Sequence, residues 1–308
     1  MAKSRGKPNP GLGLVLGSGG ARGFAHLGVL QVLAEKGLEP GLVVGTSIGS
    51  VVGAALAAGR MDKIEKFAAE IDLAKAAGLF FEFGMHRDGL VKGTRVMECL
   101  GKLLPDCRIE DLPVKFAAVA TDIETGEPVV MDRGSLLSAI RASISIPGLF
   151  TPVWRGRRHL VDGGISSPVP ILTARLMGAE KVIAVNIDNA KASPYHTRRI
   201  DAKIKKVVGR AVDLSSKLRT QLESRVPKLE MLLSGASTGF GFFDILLKTT
   251  RICENRIAID EIAANPPDVL IEPAVGGIAT LDFTRADDAI RAGRDAALAA
   301  DFSIVGEP

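Results

Sequence analysis

The twenty residues from Pro40 to Gly59, PGLVVGTSIGSVVGAALAAG, carry no charged side chain. Length alone allows a transmembrane helix here. Gly45, Gly49 and Gly53 even fall at the G-x-x-x-G spacing of membrane-helix contacts. The other reading divides the run in two. LVVG is β-favouring and punctuated by glycine, whereas IGSVVGAALAAG is rich in small residues and suits a helix packed closely on a sheet. The β-favouring first half argues against one continuous helix.

Working outward, the divided reading repeats. GLGLVLG (residues 11–17) is a short apolar run ending in glycine, hence a buried strand. GFAHLGVLQVLAEKG follows as a helix closed by Gly37. LVVGTS is the second strand and residues 48–59 the second helix. The β-α-β-α order implies a parallel sheet with helices on its faces. Residues 62–104 read as mainly helical, with a loop near FGMHRDG. KFAAVATDIETGEPVVMDRG reads as a hairpin turning at ETGE. SLLSAIRAS is a helix that must end before Pro147. TPVWRGRRHLVDGG is strand-turn-strand, and PILTARLMGAEKVIAVNID is helix then strand. Residues 189–200 form a polar loop and 201–264 read as helical. DVLIEP and DFTRADDAIRAGRDAALAA make a final β-α unit, with Thr284 and Asp287 as a capping box. No linker interrupts the rhythm. One domain is expected over 1–308, with a core of about 11–190 plus 265–308 and a helical insertion of about 200–264.

Composition narrows the class. The 308-residue chain is 46% hydrophobic and 24% charged, which is globular and not disordered. Aromatic residues make up 5%, too few for a surface of stacked rings, and no nucleic-acid partner is expected. The net charge of +4 permits a mild attraction to acidic surfaces. Cys99, Cys107 and Cys253 are odd in number and include no C-x-x-C. That suits a reducing cytosol and argues against a disulfide framework or a zinc site. The start, MAKSRGKPNPG, has no apolar h-region, so no signal peptide is expected and a cytoplasmic location is.

GTSIG (residues 45–49) fits G-x-S-x-G, which lifts a serine onto a sharp strand-to-helix turn. Gly45 and Gly49 leave that turn unobstructed, and the helix N-terminus adds a positive dipole end. The plainer alternative is a structural glycine cluster. GSGGARG (residues 17–23) can supply backbone N–H groups to a developing oxyanion, from Gly19, Gly20 and Ala21. Its competing reading is a dinucleotide loop, but Arg22 stands where the last glycine of G-x-G-x-x-G belongs. No acidic residue ends the next strand, and Glu39 precedes it. A serine nucleophile needs a base. Among the four histidines, His26 precedes the serine, and His86 and His159 sit beside arginines as surface residues. His196 remains an alternative in a polar loop. Asp162, where the strand RHLV ends in VDGG, is the stronger candidate. The plainer reading is an Asp-Gly turn; burial would raise the carboxyl pKa and make it a useful base.

GSGGARG, GTSIG, ASISIPGLFTPV and VDGG occur in the order and at roughly the spacing of the patatin-like phospholipase family, which the chain resembles strongly over about 11–190. The closing DVLIEP and FTRADDAIRAG also resemble bacterial members. The resemblance implies a three-layer α/β/α sandwich with a mainly parallel sheet, and lipid ester hydrolysis by a Ser–Asp dyad without histidine, metal or cofactor. It assigns Ser47 as nucleophile and Asp162, with Gly163 and Gly164, as the base motif. It makes Gly19 and Gly20 the oxyanion loop, followed by Arg22, and Pro147 the proline of the preceding block. Ser18 departs from plant patatin, where an aspartate is common. A regulatory or interaction module on the same fold is the alternative to an enzyme.

Two stretches could meet a lipid surface. Residues 191–210 hold seven Lys or Arg against one Asp, and MLLSGASTGFGFF (231–243) carries no charge. A basic segment near an apolar one can rest on an anionic membrane, here the inner membrane. A solvated helix face followed by a buried segment or a homo-oligomer contact is the plainer reading.

Overall fold

Gly13 to Leu16 of β1 (Asn9–Leu16) pair in parallel with Leu42 to Gly45 of β2 (Pro40–Thr46). Parallel neighbours need a crossover, and α1 (Ala25–Glu35) provides it. Gly37 closes that helix at φ 70°, with the Leu38 N–H returning to the Leu33 carbonyl at 2.9 Å. The charge-free run is divided as expected, since β2 ends at Thr46 and α2 spans Ile48–Ala57. The computed structural model describes residues 9–80, 91–189 and 242–306. His86, His196, the polar loop from 190 onward and nearly all of the basic and apolar stretches lie outside the described residues. Among the described residues no helix is long and apolar enough to cross a membrane.

The sheet has eight strands. β3 (Lys115–Asp122), β7 (Lys181–Val185) and β8 (Val269–Ile271) extend the parallel part, giving the order β8-β7-β1-β2-β3. β4 (Pro128–Met131) returns on β3 as the expected hairpin, and β5 (Val153–Arg155) pairs with β6 (Arg158–Asp162) as the second. β6 also runs antiparallel to β3. Side chains alternate into two cores, as a sheet buried on both faces requires. Leu12, Leu14 and Leu16 of β1 join Val43, Phe116, Ala118 and Ile183 on one face. Val15, Leu42, Val44, Ala117 and Val182 lie on the other.

Helices cover both faces, giving the three-layer α/β/α sandwich. The first face receives α1, α2, α3 (Met61–Glu70), α5 (Thr94–Leu103), α6 (Leu136–Ser143) and α9 (Ala286–Leu298). α4 (Leu73–Phe80) lies in the same layer. The second receives α7 (Ile171–Leu176) and α8 (Phe242–Ala264). α1 and α9 touch through glycines: a Cβ on Gly28 would sit 1.9 Å from the Ile290 carbonyl. The Thr284–Asp287 capping box does not form. A 3-10 turn (Phe283–Arg285) precedes α9, so Arg285 occupies the cap position, and the Thr284 hydroxyl donates to Asp282 instead at 2.6 Å.

The register on β3 positions the site. β4 occupies one edge of β3 from Ala118 to Thr121. β2 and β6 therefore share the other edge. β2 leaves it at Thr46, opposite Val119, and β6 reaches it at Asp162, opposite Ala120. Two strands running in opposite directions thus meet end to end beside consecutive residues of β3.

Candidate active site

Ser47 follows β2 and caps α2 at φ 55°, ψ −125°. It is the single non-glycine residue at positive φ among the described residues. Such a backbone costs on the order of 1–3 kcal/mol and persists only where its surroundings enforce it. Three contacts do so. The Ser47 N–H donates to the Ser143 hydroxyl at 2.9 Å, and that hydroxyl donates to the Val119 carbonyl at 2.6 Å. The Ser50 hydroxyl donates to the Ser47 carbonyl at 2.6 Å. The glycines on either side permit the close approach: a Cβ on Gly45 would meet the Gly49 carbonyl at 2.4 Å, and one on Gly49 the Leu16 carbonyl at 2.1 Å.

The Ser47 hydroxyl donates to Asp162 Oδ2 at 2.6 Å, and Asp162 Oδ1 accepts the Gly164 N–H at 2.8 Å. One carboxylate oxygen is therefore fixed by the backbone while the other faces the serine. The strand end is pinned further, by the Asp162 N–H to the Ser145 carbonyl at 2.9 Å and by the Thr121 hydroxyl to the Asp162 carbonyl at 2.8 Å. Gly163 lies so close to β3 that a Cβ would sit 2.2 Å from the Val119 carbonyl. Burial raises the Asp162 pKa to about 6, against the lowering effect of its bonds from Ser47 and Gly164.

The glycine loop stands beside this pair. Gly20 has φ 60°, and a Cβ on it would lie 2.3 Å from the Thr280 carbonyl. That carbonyl accepts the Ala21 N–H at 2.8 Å, so Ala21 is not an oxyanion donor and only the Gly19 and Gly20 amides keep that capacity. The loop runs into a 3-10 turn (Gly20–Phe24) and then α1. His26 is fully buried and its Nε2–H donates to the Gly17 carbonyl at 2.9 Å. Burial drops its pKa to about 4, so it stays neutral and braces the loop from behind. His159 lies away from the serine, stacked edge-on against Trp154 and 3.5 Å from Glu124. Pro147 opens the turn after α6, in which the Leu149 and Phe150 N–H groups both bond the Ile146 carbonyl.

Arg22 does not face solvent. It is 1% exposed, bonds the Ile278 carbonyl at 3.2 Å and pairs with Asp188 at 3.3 Å. Asp188 also takes Arg251 of α8 at 2.8 Å. α8 thereby lies across the site, and Leu247, Thr250 and Glu254 complete the wall around Ser47. The cavity they leave measures about 20 Å³, room for a water molecule. Glu254 is pushed up to about 8, first by burial and then by Asp162 and Asp188. Sequence reasoning missed Ser143, Thr280, Asp188, Arg251 and Glu254. Ser143 lies inside the ASISIPGLFTPV block, and the others had no pattern to mark them.

A glycine loop, a strained serine and a buried carboxylate gathered at the carboxyl edge of a parallel sheet define an α/β protein with a hydrolase-type elbow. The chain belongs to the patatin-like phospholipase family, whose model matches residues 14–175, more than half of it. It is 30% identical to the uncharacterized NTE family protein Rv1063c of Mycobacterium tuberculosis, over 94% of this chain and 91% of that one. A second NTE family protein of that organism, Rv2565, is 35% identical over 94% of this chain and 46% of its own length. The lysophospholipase NTE1 of Candida glabrata is 33% identical over 57% of this chain and 10% of its own.

Proposed function

We propose that the protein hydrolyses carboxylic esters of lipids, phospholipids or lysophospholipids, with Ser47 as nucleophile and Asp162 as base. The 2.6 Å bond from the Ser47 hydroxyl to Asp162 Oδ2, on a backbone strained to present it, carries the reading. Membership of the patatin-like phospholipase family supports the substrate class.

In this reading Ser47 Oγ attacks the ester carbonyl and its proton passes to Asp162. The oxyanion takes N–H bonds from Gly19 and Gly20. Asp162 returns the proton to the departing alcohol, leaving an acyl-serine. Water then attacks, giving a proton to Asp162 that is returned to Ser47 as the acid leaves. A carboxyl pKa near 6 suits an aspartate to this work, being close to neutral pH yet ionised there.

A fluorophosphonate labels the protein, and Ser47→Ala abolishes the labelling. Labelling that persists in this variant overturns the nucleophile. Full hydrolysis by Asp162→Asn overturns the dyad and returns the role of base to His196.

A further inference from the structure

The far end of the β5–β6 hairpin has no part in the chemistry above, and the register aims it outward from the site. β6 ends at Asp162, and its first residue, Arg158, stands about 13 Å farther along the strand direction, beyond the carboxyl ends of β2 and β3. Its tip holds Trp154, the only tryptophan of the chain, at 70% exposure. Burying an indole against hydrocarbon is favourable. The neighbouring β3–β4 turn presents Ile123 at 52% exposure. The Ile123 N–H donates to the His159 carbonyl at 2.9 Å, and His159 is the partner of Trp154 across β5–β6. The two apolar side chains therefore belong to one rim.

The charge on the hairpin itself is one-sided, whereas the adjoining turn carries Asp122, Glu124 and Glu127. From Gly134 to Val161 the sequence has no acidic residue, and Arg155, Arg157 and Arg158 follow the tryptophan through the hairpin turn. Arg158 pairs with Asp122 at 3.6 Å and His159 with Glu124 at 3.5 Å, which ties the hairpins together. Glu127 is the remaining acid of the adjoining turn. Arg155 donates to the Arg133 carbonyl, and among the described residues neither Arg155 nor Arg157 pairs with a carboxylate. An exposed indole on a hairpin that also carries two guanidinium groups without a carboxylate partner is suited to the boundary between anionic headgroups and acyl chains.

We propose that the Trp154 hairpin is the contact by which this protein settles on an anionic phospholipid surface, with the Ser47 site turned toward the membrane. The surface is distinct from residues 191–210 and 231–243, and it rests on the lipid-hydrolase reading only for its purpose. Trp154 reports on its own burial. In the full-length Ser47→Ala variant, vesicles of phosphatidylcholine with phosphatidylglycerol shift the emission to the blue and protect it from acrylamide. Pure phosphatidylcholine does so far less. Arg155→Gln with Arg157→Gln weakens the anionic binding about thirtyfold, two cationic contacts being removed. Trp154→Ala, shown to be folded by circular dichroism, loses co-sedimentation by about as much. In the Ser47-intact background it slows hydrolysis of vesicle-borne lipid while sparing a soluble short-chain ester.

Emission that ignores anionic vesicles overturns the proposal. So does a shift that follows protein concentration without vesicles, which assigns the hairpin to a second copy of the chain. Vesicle binding by a protein without esterase activity overturns the hydrolase reading and leaves the contact standing. Esterase activity with a silent Trp154 does the reverse.

Discussion

Two turns of the same kind meet at this site and are built in opposite ways. Both leave a parallel strand and open a helix. The turn after β1 stretches over Gly17 to Phe24, through glycines and a 3-10 turn, and presents backbone N–H groups. The turn after β2 is a single residue, Ser47, and presents a side chain. The first tolerates no Cβ at Gly20 because the Thr280 carbonyl fills the space. The second keeps a Cβ where φ is 55°, at a cost in strain. In the proposed reaction the loop that donates amides is made of glycine, whereas the turn that aims a hydroxyl accepts an unfavourable backbone to do so.

Substitutions can break this contrast from either side. Ser47→Ala lowers ester hydrolysis by on the order of 10⁴-fold or more, read as kcat/KM. Ser47→Gly is equally inactive but gains about 1 kcal/mol in denaturant unfolding, because glycine relieves the strain. Unchanged stability in that variant would show that the positive φ carries no cost. Asp162→Asn loses on the order of 10³-fold or more, since amide nitrogen or oxygen cannot take the serine proton. On the other loop, Gly20→Ala collides with Thr280, and kcat falls on the order of 10²-fold as an oxyanion donor is displaced. Wild-type kcat in Gly20→Ala removes the glycine loop from the mechanism. Ser143→Ala leaves the Ser47 N–H and the Val119 carbonyl without their shared hydroxyl, at about 1–2 kcal/mol of stability by urea titration.

The smallest effect is in the pH response. In the proposed reaction Asp162 acts as base when ionised, so kcat/KM is expected to climb with pH through a limb near 6. Glu254 keeps its proton until about 8, and Glu254→Gln therefore leaves that limb in place. Asp162, Glu254 and Glu261 all have raised values, reaching about 6, 8 and 7. The folded chain holds these protons where the unfolded chain has released them. Their contribution makes the melting temperature fall as pH rises from about 4 to about 8.

The strand and helix order was readable because it depends on local pattern. Both hairpins, the helix stop before Pro147 and the division at Ser47 follow from turn residues and periodicity. The glycine loop, serine and aspartate were readable as motifs, each at the end of a strand. What holds them was not. The Ser143 hydroxyl lies 96 residues from the amide it accepts, and Ile278 lies 256 from Arg22. Ala21 looked like a third donor because nothing in GSGGARG announces the Thr280 carbonyl. Thr284 looked like a cap because a 3-10 turn moving the helix start has no separate signature.

Ser47 and Asp162 are 115 positions apart in the chain, but their spacing is set by neighbouring residues of one strand. Val119 fixes where β2 stops and Ala120 where β6 arrives. Hydrogen-bond register, not chain length, is therefore the ruler of the site. The helical stretch between α2 and β3, and the part of the β4-to-β5 connection that precedes α6, can lengthen or shorten without altering the gap between the two side chains. A single residue inserted in β3 cannot. The two residues of the proposed dyad are spaced by a pair of plain apolar positions of β3, and braced by Ser143 and Ser145 from the connection between them.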